Sequence, residues 1–154
     1  MLKITILQIG KTKTSYLTEG EEEFKKRLQA FCQLEVKVLK DVKSKSPPEQ
    51  IEATGSAILE NLPGNSYLIV LDERGQEFTS QVFAQKLNSL GSQGHSHLTF
   101  VIGGPYGLDQ RVKAKANLLL ACSKFTFTHE MVRMILLEQL YRAFTISTGK
   151  KYHY

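Results

Sequence analysis

"FVIGGPYGLD", residues 100–109, ends a run of strand formers in two glycines, a proline, a tyrosine, a third glycine and an aspartate. Glycine at such a point permits positive φ and lets a ligand or another backbone come close. Gly103, Gly104 and Gly107 are not spaced as G-x-G-x-x-G, and no Gly-Lys-Ser/Thr follows, which excludes both the dinucleotide fingerprint and the P-loop. Two readings of the residues stay open here: a tight strand-to-helix turn with no ligand, and a bare main-chain wall of a binding site.

The flanking sequence alternates apolar runs with helical periodicity. Residues 2–9 (LKITILQI), 34–40 (LEVKVLK), 67–71 (YLIVL), 98–102 (LTFVI) and 117–121 (NLLLA) read as strands, and YLIVL and LTFVI are apolar enough to be covered on both faces. Helices are expected at 16–31, with Phe24, Leu28 and Phe31 inward and three i,i+4 pairs of Glu with Lys or Arg outward, and at about 48–62, with Ile51, Ile58 and Leu62 inward. A third helix starts at Thr79 or Ser80, turns Val82, Phe83, Leu87 and Leu90 inward and stops at Gly91. LDQRVKAKA is a short helix, CSKFTF (122–127) a loop with room for a brief strand, and Thr128 caps a last helix over about 129–147, with Glu130 in its first turn. Only DVKSKSPP (41–48) has linker character. The pattern predicts one α/β domain over 1–154, a mostly parallel sheet with helices on both faces. In such sheets ligands bind outside the carboxyl ends of the strands, where LDERG (71–75), GGPYG (103–107) and CSKFTF fall.

Composition narrows the function classes. The 154 residues carry a formal charge of +5, which favours an anionic partner such as nucleic acid, although solubility alone accounts for such a balance. Cys32 and Cys122 stand far apart with no CxxC, so neither a disulfide framework nor a structural metal site is expected, and a reducing cytosol is. The opening apolar run stops at Gly10, too short to span a bilayer and without a small-residue cleavage site. A cytoplasmic protein with no membrane and no metal is the expectation. His95 and His97 share strand spacing but lack ligand companions and read as solvent-facing; Cys122 reads as a small apolar filler, and His129, at a helix start, as a neutral ring.

The last helix is apolar around most of its circumference, from Met131 and Val132 through Tyr141 and Phe144 to Ile146. One sheet face covers one stripe, so such a helix calls for a second surface, either deep in the same chain or in a two-fold dimer. Lys150, Lys151, Tyr152, His153 and Tyr154 then mix cations with aromatics, as RNA contact requires, where a frayed terminus is the ordinary case.

Three stretches, KITILQIGK, FVIGGPYGLD and SKFTFTHEMVRMILLEQLYRAFTISTGKKYHY, together resemble one family along the whole chain. It is the family of small bacterial SPOUT methyltransferases that methylate N3 of a pseudouridine in 23S ribosomal RNA. The resemblance implies an α/β fold whose C-terminal segment threads a deep trefoil knot, against the general rarity of knots. It implies a homodimer, S-adenosylmethionine held in the knot's loops, and the assembled ribosome as substrate. By motif, the cofactor site would take Leu71, Gly103, Cys122, Ser123, Lys124, Phe125, Thr126 and Phe127, mostly through main-chain groups. Arg142, Tyr152 and His153 match the positions implicated in RNA binding and methyl transfer. The family commonly has proline before the histidine that opens the last helix, whereas this chain has Thr128-His129. That change bears on the geometry of the loop at 122–128.

Methyl transfer from a sulfonium asks the protein chiefly for alignment. N3 of a uracil-type base must also lose a proton, for which His153 has a suitable ordinary pKa, near 6.5 on the reference scale. The rival assignment leaves the proton to water or a cofactor carboxylate and has His153 stack on the base. Arg142 would hold a phosphate or the target base. Two other classes fit the residues: a non-catalytic RNA- or nucleotide-binding α/β module, and a flavodoxin-like nucleotide binder.

Overall fold

The computed structural model describes residues 1–43 and 46–154. In the first strand, β1 (Leu2–Ile9), successive side chains sort onto opposite faces: Ile4 and Ile6 enter one apolar core, Leu7 and Ile9 another. After it come α1 (Ser15–Leu28), β2 (Cys32–Leu39), α2 (Pro47–Asn61), β3 (Tyr67–Glu77) and α3 (Ser80–Ser92). The chain continues through β4 (His97–Ile102), α4 (Gln110–Lys115), β5 (Leu118–Ala121) and α5 (His129–Thr148). The sheet has order β2-β1-β4-β3-β5 and every pairing in it is parallel. Helices α1, α3 and α5 cover the face of the larger core, around Phe100, Ile69 and Leu140, and α2 and α4 cover the other, around Val70, Val101 and Ile58. Given that order, all four strand-helix-strand crossovers turn with one hand, as the twist of parallel strands dictates.

The expected architecture is what forms, and the differences lie at element ends. α1 stops at Leu28, three residues short of the expected end, because Phe31 is taken up by aromatic packing: its ring stacks on Phe144 at 5.6 Å and meets Tyr141 edge-on at 5.9 Å. LDERG is no loop; β3 runs on to Glu77, with a register jump against Leu120 between Leu71 and Gln76. α3 passes through Gly91 and turns at Gly94, where φ is +93°, and Val82 faces solvent rather than the core. No strand forms in 122–127. His95 packs edge-on against Tyr67 and His97 bonds the Thr5 hydroxyl at 2.8 Å, so neither is a free surface histidine. The linker expected at 41–48 includes Ser44 and Lys45, which lie outside the described residues.

One charged side chain decides how α5 seats. Arg133 is only 2% exposed, near the start of the most apolar helix of the chain. Its Nη2 donates to the carbonyl of Ile9 at 2.6 Å and its Nη1 to the Thr12 hydroxyl at 3.0 Å. Glu21, equally buried on α1, faces the same network. Burial pushes the Glu21 carboxyl above the ordinary range, against the pull of the Thr12 hydroxyl, Lys25 and Arg133. One turn earlier, Glu130 accepts from the amides of Lys13 and Thr14 at 3.0 and 3.1 Å. It thereby serves the start of α1, whose own Thr14 side chain makes no capping bond. Polar bonds thus pin the start of α5 to the carboxyl end of β1. Arg133→Ala should cost about 3–5 kcal/mol, the range for breaking a buried charged network from one side, in urea denaturation at fixed protein concentration.

Candidate functional site

Because β5 lies outside β3 while α5 begins beside β1, residues 122–128 must run back across the carboxyl ends of β3 and β4, about 14 Å at the usual strand spacing. The loop does not lie flat. Between it, the end of β3 and the β4–α4 turn opens a cleft of ≈ 700 Å³, within the size range of small-molecule sites. Leu71, Gly103, Cys122, Ser123, Phe125, Thr126 and Phe127 all line it. Lys124 belongs to the same loop but is not part of the wall.

The glycine stretch forms a turn in its own right. Gly107 donates its amide to the Gly104 carbonyl at 3.1 Å, with Pro105 and Tyr106 at the corner and φ of +94° at Gly107. A Cβ on Gly103 would come within 2.8 Å of Leu108 Cγ, so that bareness serves the turn's own packing. A Cβ on Gly104 would only touch the Ile9 side chain, at 3.9 Å, an ordinary contact. The turn and the wall are therefore the same object. Asp109 ends it by capping α4, its carboxylate accepting from the Arg111 amide at 2.8 Å.

Charged groups of LDERG, joined by Lys113 of α4, brace the rim. Asp72 pairs with Lys113 at 3.1 Å and accepts from the Arg74 amide at 3.0 Å. Burial works to raise the Asp72 carboxyl, but those two partners outweigh it and hold it below the usual carboxylate range. Glu73 accepts from the Thr126 hydroxyl at 3.0 Å, tying β3 to the crossing loop. Phe125 stands 80% exposed at the mouth, and Cys122 is open to the cleft rather than filling a gap in the core. His129 closes the inner end. Burial, then the nearby Arg133, depress its imidazole below the ordinary value, which keeps the ring neutral as a helix start requires.

Arg142, Tyr152 and His153 gather elsewhere. Gly149, with φ +73°, ends α5 and turns the chain back, so that Tyr152 packs edge-on against Tyr141 at 4.8 Å. Arg142 pairs with Glu138 at 2.6 Å, lies over the Tyr152 ring at 4.8 Å and reaches Nδ1 of His153 at 3.1 Å. These contacts fold residues 149–153 back onto α5. Arg142 stands thirteen residues beyond His129 on α5, about 20 Å along the helix. None of the three lines the cleft. The structure thus assembles both predicted groups of residues and keeps them apart within one chain. Glu138 was legible as an i,i+4 partner of Arg142; Arg133 announced itself only as a cation inside an apolar run. Among the described residues no three of His, Cys, Asp and Glu gather as a metal site would need, and no helix is long and apolar enough to cross a membrane.

Comparison with known proteins agrees with this geometry. The family model described as "Predicted SPOUT methyltransferase" matches residues 2–153. The chain is 44% identical to the ribosomal RNA large subunit methyltransferase H of Halothermothrix orenii, over 99% of each chain. It is 41% identical to the protein of the same name from Desulfotalea psychrophila, again over 99% of each. A solved structure of "a probable methylase family protein from Haemophilus influenzae Rd KW20" shares the fold with a TM-score of 0.57 at 12% identity, covering 99% of this chain and 70% of that one.

The depressed His129 imidazole has a stability consequence. In the unfolded chain the ring takes up its proton first, so the His129 contribution is complete above about pH 6.5 and drains away as pH falls through the lower folded value. An NMR titration should place the His129 midpoint below 6.5, and His129→Asn should flatten the loss of stability on that acid side.

Proposed function

The chain belongs to the SPOUT methyltransferase family, and from that premise we propose that it methylates N3 of a pseudouridine in 23S ribosomal RNA of the assembled ribosome, using S-adenosylmethionine. The relatives' name supports the RNA class. The observation that carries the reading is the cleft, whose walls come largely from turn and loop residues at the carboxyl rim of a parallel sheet.

The site suits this cofactor in size and in its mixture of aromatic and carboxylate walls. When bound, the cofactor supplies an activated methyl on a positively charged sulfur. Asp72 and Glu73 bring negative charge to that rim, Phe125 and Phe127 offer ring faces, and the turn at 103–107 and the loop at 122–127 bring main-chain polar groups to the cleft. Lys124 stands on the same loop, outside the wall. Their task is orientation, which can be worth up to roughly 7–11 kcal/mol in such transfers.

The RNA-facing end is Arg142, Tyr152 and His153, and it stands at the other end of α5. The unit that works is therefore a homodimer of single-domain chains. Met131, Met134 and Ile135 of α5 stay only half-buried under α1 and α3, leaving apolar surface for a second copy. Two α5 helices crossing antiparallel about a two-fold axis would carry the Arg142 end of each toward the His129 end of its partner. Each cleft would then be completed by the partner's residues 150–154. The knot belongs to the same reading: residues 122–128, crossing the rim to reach α5, are the segment that would thread it. A cytoplasmic location follows from a ribosomal substrate.

Calorimetry should detect S-adenosylmethionine binding to the wild type and to a chain lacking residues 150–154, whereas only the wild type should label 23S RNA in ribosomes lacking the modification. Mixing that truncation with Gly103→Val, each inactive alone, should restore about a quarter of the wild-type sites, because half the dimers are mixed and each holds one intact pair. No heat with the cofactor would sink the enzyme reading. Silence of the mixture would sink the shared site.

A further inference from the structure

Arginine's guanidinium carries hydrogen-bond donors only. Its contact with His153 therefore fixes more than distance. Nη1 of Arg142 lies 3.1 Å from Nδ1 of His153, so Nδ1 must present its lone pair, and the single proton of the neutral ring sits on Nε2. We propose that His153 serves methyl transfer as an Nε2–H donor to a carbonyl oxygen of the target base, and not as the acceptor of its N3 proton. The proposal rests on the RNA methyltransferase reading above.

The guanidinium is not free to turn away and offer another arrangement. Its Nε and Nη2 both donate to Oε1 of Glu138, at 2.8 and 2.6 Å, which fixes the plane of the fork. Tyr152 lies beneath it at 4.8 Å and its hydroxyl reaches the same Oε1 at 3.4 Å, while Gln139 donates to Oε2 at 3.0 Å. Glu138 and Arg142 are thus positioning residues. A proton on Nδ1 would set a donor against a donor.

The chemistry of the base fits a donor. N3 of a uracil-type ring lies between two carbonyl groups. As its proton leaves to solvent water, the electron pair left on N3 spreads onto both oxygens, and a donor aimed at one of them stabilises that charge. The N3 pair then forms the new bond to the methyl carbon as the carbon–sulfur bond breaks and its pair returns to sulfur. His153 keeps its proton throughout. Loss of one such donor costs about 10²–10³ in rate where the donor meets developing negative charge.

Two measurements test this. Long-range nitrogen–proton correlation on labelled wild-type protein should show His153 with a protonated Nε2 and a bare Nδ1, a preference that Arg142→Met should erase. In single turnover at saturating ribosomes, His153→Gln puts an amide donor near the Nε2 position and cannot act as a base. It should stay within about tenfold of the wild type, while His153→Ala falls about 10²–10³-fold. Thermal unfolding checks that both variants fold. A bare Nε2 in the wild type, or a His153→Gln rate as low as that of His153→Ala, overturns the donor role while cofactor binding and wild-type methylation leave the enzyme reading intact. An undiminished His153→Ala removes the residue from the reaction and overturns it too. Failure of the wild type to methylate ribosomes at all is instead a failure of the function proposed above.

Discussion

Arg133 holds together what the rest of the molecule uses. A guanidinium buried to this degree depends on the bonds its donors find: Nη2 meets the carbonyl closing β1 and Nη1 a hydroxyl in the following loop, while Nε is buried without a partner among the described residues. This contact, with Glu130 on the amides of Lys13 and Thr14, sets the start of α5 beside the first strand rather than beside the fifth. Everything between must then cross the rim. The cleft exists because the crossing loop has two fixed ends and a turn on its far side that cannot collapse.

That turn is rigid by composition. Its proline, its left-handed Gly107 and the contact of Gly103 with Leu108 leave little freedom, and the Asp109 cap ties it to α4. The opposite wall is bound by weaker means, a single hydroxyl–carboxylate bond between Thr126 and Glu73, with Phe125 in solvent. One wall is thus braced more heavily than the other.

α5 has two chemically different ends. Near His129 it is desolvated and carries a neutral ring against the cleft; near Arg142 it carries a charged, aromatic cluster held by Glu138. Between them its flanks are apolar apart from Arg133, Glu138 and Gln139. The helix spans about 20 Å from the cleft to the cluster. It also explains why aromatic packing reaches so far: Phe31, Tyr141, Phe144 and Tyr152 make one continuous set of rings beneath the far end.

Strand-helix alternation, the inward faces of the helices apart from Val82, the capping role of Thr128 and the likeness to SPOUT methyltransferases were legible in the amino-acid order, since periodicity, capping and motif are local. Element ends were less so: β3 outran LDERG and α1 fell short of Phe31, because strand pairing and ring stacking with distant segments outbid local preference. Sequence by itself determined that Leu71, Gly103 and 122–127 are cofactor candidates and that Arg142, Tyr152 and His153 are candidates for RNA. Only tertiary structure decided that the first set, Lys124 apart, lines one cleft, that the second stands a helix away, and that Arg142 meets the imidazole at Nδ1. The reason is physical: order along the chain carries propensity, but a hydrogen bond between groups brought together by a glycine turn exists only once the helix has docked.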